Sequence, residues 1–346
     1  MLLILRRCRR AAVSIILALV TGCVLLFALE VGEEYTEASR VEVSWGQGDG
    51  QVPVALSKGG SLFGVRAFGC GLDGSVYVVD SARGRVLRFT RAGELQGVLE
   101  TGRARMAVDD VCVIEDGTVL LADNSSVAVI AVASERPPVV LWNGKGEPAP
   151  VRVIESIRAG GAGSAFVVYS TWSKERYVRT LSAIRQGSPE QKVVEFVVTS
   201  PGETAQGSVT GLWAPARGGY YAQVHEGDPF TRTIRRVGPG GDVRTEYVVN
   251  ADRVLQSVTV LGDDRRGRLY AGVDLGTPEG RVMVFDGRGR MVAVVPAPYS
   301  GKHKSSTYAR VDDAGNIYLL ESGEHSAWIR RLEARRRWSV GVRGRS

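Results

Sequence analysis

Side chains suited to ligand binding recur along this sequence just ahead of short apolar segments that are typical of strands. A carboxylate at such a point can hold a cation or the basic group of a ligand. The candidate contact residues of this kind are Arg66, Asp109, Asp110, Glu155 and Tyr308. Trp172, which the sequence places in a long polar turn, either joins this surface or packs back onto the body of the protein. Together these residues predict a ligand-binding surface.

The sequence offers no set of residues that would carry out catalysis. His225, His303 and His325 are isolated, and none has the spacing of a zinc site. The Gly-x-Ser-x-Gly nucleophile motif requires a strand–turn–helix context, which an all-β chain lacks, and no phosphate-binding loop is present. These observations favour a binding module over an enzyme.

The elements that must position the candidate residues are short strands that return with a regular turn. Six turn glycines each begin an aromatic or aliphatic strand, at Gly74, Gly117, Gly163, Gly219, Gly267 and Gly315. They lie 43 to 56 residues apart, which fits four short strands per unit and the period of about 40–50 residues of a β-propeller blade. No stretch of the body has a helical period with caps. The sequence therefore predicts an all-β fold, a six-bladed propeller over residues 61–346.

Two further aspartates, Asp80 and Asp123, end the second strands of the first two blades. An aspartate at this place commonly accepts hydrogen bonds from nearby backbone amides and closes a turn. We therefore expect a structural role for both.

The first 29 residues have the pattern of a membrane segment. Residues 1–10 carry four arginines and no acid, and residues 11–29 carry no charge at all. A helix of that length spans roughly 28 Å at about 1.5 Å per residue, close to the hydrocarbon thickness of a bilayer. The arginines should stay in the cytoplasm, which predicts a single-pass signal anchor with the propeller outside. Alternatively, Val20-Thr21-Gly22-Cys23 is a lipobox, and Cys23 anchors a lipoprotein.

Residues 30–60 are predicted to form a linker with one strand that closes the ring. Either 40–45 or 51–56 should pair on the outer edge of the sixth blade, because an unclosed propeller exposes unpaired strand edges. The alternative is that a strand at 337–342 closes the ring alone.

Cysteine usage leaves two possibilities open for the body of the protein. Cys70 and Cys112 are its only cysteines, and they lie on equivalent strands with side chains on opposite faces. They either form a disulfide or remain two separately buried thiols.

The net charge of +7 is concentrated at the two ends of the chain. Residues 1–10 carry +4 and residues 330–346 carry +6, so residues 11–329 sum to −3. A slightly acidic body lacks the basic face that phosphate binding needs, which excludes a typical nucleic-acid-binding protein.

The segments DGSVYVVDSARGRVLRF (73–89) and DDAGNIYLLE (312–321) resemble NHL-type repeats. This family belongs to the larger group of six-bladed propellers with gluconolactonase-like and TolB-like members, and the resemblance covers residues 60–346. It implies a closed ring around an axial channel, with ligands meeting one face. Gluconolactonase-like enzymes hold a divalent cation on the axis with Glu, Asn and Asp. Asp109, Asp110 and Glu155 match that pattern in part, but blades three to five have no equivalent Asn.

Two functions follow from these observations. The first is a membrane-anchored extracytoplasmic propeller that binds a protein, peptide or glycan and needs no cofactor. The alternative is a calcium-dependent hydrolase of the gluconolactonase type.

Overall fold

The computed structural model describes residues 33–56, 62–146, 150–160, 164–173, 176–185, 188, 190–198, 209–214, 218–224, 227–276, 279–298 and 308–335. These residues form six antiparallel sheets of four strands, so the six-bladed propeller predicted from the sequence is confirmed. Within them the only helical segment is a 3₁₀ turn at Gly144–Gly146. No helix in these ranges is long and apolar enough to cross a bilayer, and residues 11–29 and Cys23 lie outside them.

Each blade runs from an inner strand at the axis to an outer strand at the rim. Before the first blade come β1 (Glu34–Ser44), β2 (Ala55–Leu56) and β3 (Leu62–Phe63). Blade one contains β4 (Phe68–Cys70), β5 (Val76–Asp80), β6 (Arg85–Phe89) and β7 (Leu95–Glu100). Blade two contains β8 (Val108–Val113), β9 (Val119–Asp123), β10 (Ala128–Ala133) and β11 (Arg136–Asn143). Blade three contains β12 (Val151–Ala159), β13 (Ser164–Ser173), β14 (Arg176–Arg185) and β15 (Gln191–Val198).

The remaining blades follow the same order. Blade four contains β16 (Val209–Trp213), β17 (Tyr220–Val224), β18 (Thr231–Val237) and β19 (Val243–Asn250). Blade five contains β20 (Ser257–Asp263), β21 (Leu269–Asp274), β22 (Glu279–Phe285) and β23 (Met291–Pro298). Blade six contains β24 (Ala309–Val311), β25 (Ile317–Ser322) and β26 (Ser326–Arg335).

The turn glycines between the inner and second strands explain why the repeat can be recognised in the sequence. Gly74 has φ +81° and Gly117 has φ +82°, a left-handed conformation that favours glycine. Their amides donate to the carbonyl oxygens of Gly71 and Ile114 at 3.0 and 2.9 Å, which closes each turn. The chain therefore reverses at the same point in both units.

The ring closes through the N-terminal segment. β1 pairs with β26 as the outer strand of blade six, so an N-terminal segment pairs there as predicted, but the strand is Glu34–Ser44 and begins six residues before the predicted 40–45. Val41 and Val43 of β1 are buried in the cluster between blades six and one, while Glu42 between them is exposed. The alternative strand at 337–342 lies outside the described residues. The fourth strand of blade six thus comes from the opposite end of the propeller sequence.

The hydrophobic core is divided among the six contacts between neighbouring blades. Each of six clusters of buried residues joins two adjacent sheets. Tyrosines of the second strands fill several of them, and Tyr77, Tyr270 and Tyr318 are at most 2% exposed. Burial of one such ring is favourable by roughly 1.5–3 kcal/mol. Every blade therefore depends on both of its neighbours.

Candidate functional site

Arg66 and Asp109 meet on the face of the ring at which the inner strands begin, which we call the upper face. Arg66 donates from Nε and Nη2 to Oδ1 of Asp109 at 2.9 and 2.6 Å. The Asn124 amide donates to Asp109 Oδ2 at 2.8 Å and accepts from the backbone NH of Ile154 at 2.7 Å. The Arg66 and Asp109 side chains are 34% and 24% exposed, so a ligand can reach both. This network joins blades one, two and three.

Asp110 lies inside the axial channel, one residue further along β8. Its carboxylate forms ion pairs with Arg310 of β24 and, at 3.5 Å, with Arg158 of β12. The backbone NH groups of Val111 and Ile157 donate to its oxygens at 2.9 and 2.7 Å. Asp110 is 4% exposed. The structure therefore separates Asp110 from the surface that holds Asp109.

Glu155 and Trp172 belong to a second polar cluster on the upper face, within blade three. Tyr177 and Arg179 both donate to Oε1 of Glu155 at 2.9 Å. The ring of Trp172 meets the Tyr177 ring edge-on, with centroids 6.2 Å apart. Burial and the adjacent Glu155 carboxylate raise the pKa of Tyr177, so its phenol stays protonated and donates. The structure thus brings two predicted site residues together through Tyr177.

The sequence places Trp172 in a polar turn, and this placement is wrong. β13 and β14 are ten residues long each, and Trp172 pairs in register with Tyr177. The aromatic residues extend the hairpin, because large rings are favoured in strands and pair well across them.

Tyr308 has a packing role in the structure. Its side chain is partly buried in the cluster between blades five and six. Its hydroxyl group lies over Gly272 of β21, where a Cβ atom would collide with it. Its carbonyl oxygen accepts the backbone NH of Leu320 at 2.8 Å. Tyr308 is therefore held apart from the two polar clusters.

A groove of about 520 Å³, which we call the upper groove, lies on the upper face between blades three, four and five. Its polar lining consists of Glu155, Ser156, Arg179, Thr210, Gln223, Arg232, Gln256, Ser257 and Thr259. Gln256 is exposed at its rim, and Arg179 spans it by donating to the Thr210 carbonyl oxygen. The interface beneath it, between blades three and four, has the smallest described core cluster, of four buried residues. The sequence pointed to Glu155 but not to Arg179 or Arg232.

The acidic residues that resemble the gluconolactonase pattern do not fit a calcium site. Asp109, Asp110 and Glu155 each have an arginine guanidinium on the carboxylate. A guanidinium at hydrogen-bonding distance occupies the oxygens and opposes a divalent cation, whose ligands are usually several oxygens at 2.3–2.6 Å. Among the residues with described positions, no group of three or more His, Cys, Asp or Glu could hold a metal ion.

Asp80 and Asp123 have the structural role expected of them. Oδ1 of Asp80 accepts the NH of Arg83 at 3.2 Å, and Oδ1 of Asp123 accepts the NH groups of Ala107 and Ser125 at 3.0 and 3.1 Å. Burial alone would raise the pKa of Asp123, but these and the serine hydroxyl hydrogen bonds lower it. Both carboxylates are fully buried and close turns.

Cys70 and Cys112 are two separate thiols. Cys70 packs against the cluster between blades six and one, and Cys112 lies in the cluster between blades two and three. Burial raises the pKa of each to about 12, so both stay protonated near neutral pH.

The fold and its two polar clusters define a six-bladed β-propeller with a polar upper face. The chain matches no protein-family model, and no curated protein is significantly similar to it. Several solved structures share the fold at 8% sequence identity. The match to a streptogramin B lyase spans 88% of this chain and 98% of the lyase chain, with a TM-score of 0.45. The match to a putative gluconolactonase spans 88% of this chain and 94% of the other, with a TM-score of 0.46. The match to a duf4221 family member from Bacteroides vulgatus spans 88% of this chain and 99% of the other, with a TM-score of 0.48.

Proposed function

We propose that this chain is a binding propeller of the NHL type, tethered outside the cytoplasm by residues 11–29, which binds a protein or peptide through the upper groove. The observation that carries the proposal is the groove itself: about 520 Å³, with an ion pair and several amide and hydroxyl side chains along its walls. Such groups hydrogen-bond a peptide backbone from both sides. The tether rests on the charge pattern of residues 1–29.

The lining of the groove favours a peptide over a glycan. Glycan sites commonly offer an aromatic face for the sugar ring, whereas Trp213, the aromatic residue that lines the groove, is only 8% exposed. Gln256, exposed at the rim, instead supplies a planar amide, which pairs well with backbone amides. A glycan ligand is the alternative outcome of the test.

The test is a photo-crosslinking amino acid placed at Gln256 in the full-length chain, expressed in its own cells. The matched control carries the same amino acid at Val140, which is 49% exposed on the outer strand of blade two. We expect a discrete adduct at position 256 alone, and protease digestion should remove the captured mass. An adduct removed only by glycosidase would establish a glycan ligand. Equal labelling at both positions, or none, would refute binding at the groove.

The tether is tested separately, by protease treatment of right-side-out and inside-out membrane vesicles. We expect the propeller to be digested only in right-side-out vesicles and to remain with the membrane at high salt. Release by salt would contradict an anchor at residues 11–29.

A further inference from the structure

A second cavity, which we call the lower cavity, lies on the axis at the face where the inner strands end. It has a volume of about 320 Å³. Five inner strands contribute to its wall through Cys70, Val113, Ala159, Leu261 and Val311, and blade four contributes Ala214, the residue after its inner strand. This size is at the lower end of the range for small-molecule sites, about 300–1,000 Å³. The lower cavity is distinct from the upper groove, which faces the opposite side of the ring.

Three arginines line this cavity, and two of them, Arg310 and Arg158, are largely buried. Arg310 and Arg158 both pair with Asp110, and Arg310 also donates from Nε to the Phe68 carbonyl oxygen at 3.2 Å. The side chains of Arg310 and Arg158 are 9% and 17% exposed. Burial lowers the pKa of both, that of Arg310 to about 10. Arginine side chains in proteins keep their positive charge near neutral pH. Two buried cations therefore share one carboxylate.

Arg158 is poorly satisfied in this arrangement. Its Nε is buried without a hydrogen-bond partner. Its contacts with Asp110 and with the Val260 carbonyl oxygen are long, at 3.5 and 3.4 Å, and only the Ile157 carbonyl oxygen is close, at 3.1 Å. A buried guanidinium normally has its donors paired and its charge balanced, because desolvation is costly otherwise. A negatively charged acceptor in the cavity, at the terminal nitrogens of Arg158, would supply the short contact that Asp110 does not.

The rest of the wall limits which anion can enter. Four acids also line the cavity: Glu115, Asp263, Asp312 and Asp313. Asp312 accepts hydrogen bonds from the Asn316 and Tyr318 side chains, and Asp313 forms an ion pair with Arg265. These acids repel a multiply charged anion such as phosphate. The aliphatic residues among the lining favour an apolar body.

We propose that the lower cavity binds a molecule with one carboxylate on a small apolar body, and that Arg158 and Arg310 hold the carboxylate. A guanidinium pairs with a carboxylate through two parallel hydrogen bonds, which gives both affinity and orientation. The carboxylate can belong to a free organic acid or to the C-terminus of a peptide that enters from the lower face.

The test is calorimetric titration of the full-length chain in non-ionic detergent with phenylacetate, its neutral isostere phenylacetamide, and inorganic phosphate. We expect one phenylacetate per chain, with the amide and phosphate at least about tenfold weaker. Arg158→Met should weaken phenylacetate at least about tenfold, because it removes the charged donor but keeps the length of the side chain. Arg235→Met, at a solvent-exposed ion pair with Glu246, should leave it unchanged.

A dipeptide with a free or an amidated C-terminus distinguishes the two sources of the carboxylate. A free-acid peptide that binds more tightly than phenylacetate would identify a peptide C-terminus, and weaker binding would identify a small acid. If Arg158→Met does not fold, Arg158→Lys replaces it, and a few-fold weakening is expected because lysine cannot pair in a fork. Equal binding of phenylacetate and its amide, tighter phosphate binding, or no effect at Arg158 would overturn the proposal.

Discussion

Closure of the ring by β1 gives the sharpest prediction for stability. Val41 and Val43 are 2% and 0% exposed and pack with Tyr318 and Ile329 in the cluster between blades six and one. The change is Val41→Ala with Val43→Ala in the full-length chain. It keeps the backbone pairing of β1 and removes only the side chains that fasten it to the ring.

The expected magnitude follows from the methyl groups removed. Each substitution deletes two buried methyl groups, worth about 0.8 kcal/mol apiece in transfer, and leaves a cavity, so each costs about 2 kcal/mol. The pair should lower the free energy of unfolding by about 4 kcal/mol if the two effects add. The unit Tyr35–Ala334 has an unfolding entropy of about 0.6 kcal/mol/K at roughly 2 cal/mol/K per residue. The melting temperature should therefore fall by about 6–8 °C.

The assay is differential scanning calorimetry in non-ionic detergent, with Val248→Ala as the matched control. Val248 lies on the outer strand of blade four and is 46% exposed, so its truncation should shift the melt by less than about 1 °C. If the double variant melts within 1 °C of this control, β1 does not hold the ring closed.

Three further predictions concern the metal, the thiols and a buried carboxylate. Addition of 1 mM calcium should shift the melting temperature by less than about 1 °C, because Asp109 and Glu155 are paired with arginines. A rise of several degrees would show that the protein binds calcium, as the hydrolase hypothesis requires. With the two N-terminal cysteines replaced by serine, Cys70 and Cys112 should react with a disulfide reagent at pH 7.5 much more slowly than in denaturant, because the raised pKa keeps both thiols protonated; equal rates in the native and denatured protein would contradict the raised pKa. Asp123→Asn should lower stability at pH 7 by about 1–3 kcal/mol. Because the pKa of Asp123 lies below its ordinary 3.8, the difference in free energy of unfolding between the wild type and Asp123→Asn should shrink as the pH falls below about 4. A difference that does not change with pH would show that the Asp123 carboxylate does not stabilise the fold through its charge.

The blade repeat could be predicted from the sequence because it is determined by residues in local turns. Turn glycines with positive φ, such as Gly267 and Gly315, recur where the second strands of blades one, two, four, five and six begin. The buried tyrosines that follow them, Tyr270 and Tyr318, continue the pattern. These signals lie within a few residues of each other, so neither the blade count nor the strand order required knowledge of the tertiary structure.

The candidate site was less predictable, because its partners are far apart in the sequence. Asp110 looked like a surface acid beside Asp109, yet it is buried by Arg158, 48 residues away, and by Arg310 of the last blade. Only the closed ring brings these three residues to the axis. Glu155 was found because the sequence placed it at the entry to an inner strand, although it lies within β12, whereas Arg179 lies within the hairpin and carries no distinguishing local pattern.

The central claim is that the upper groove is the binding site. It is tested most directly by measuring the yield of the crosslink at Gln256 after the charge of one residue in a groove ion pair is reversed. Glu155→Lys places two cations where Glu155 and Arg179 now pair, and Glu246→Lys does the same to the exposed Glu246–Arg235 pair outside the groove. We expect Glu155→Lys to lower the yield at least about tenfold and Glu246→Lys to leave it unchanged. Equal yields in the two variants would contradict binding at the upper groove.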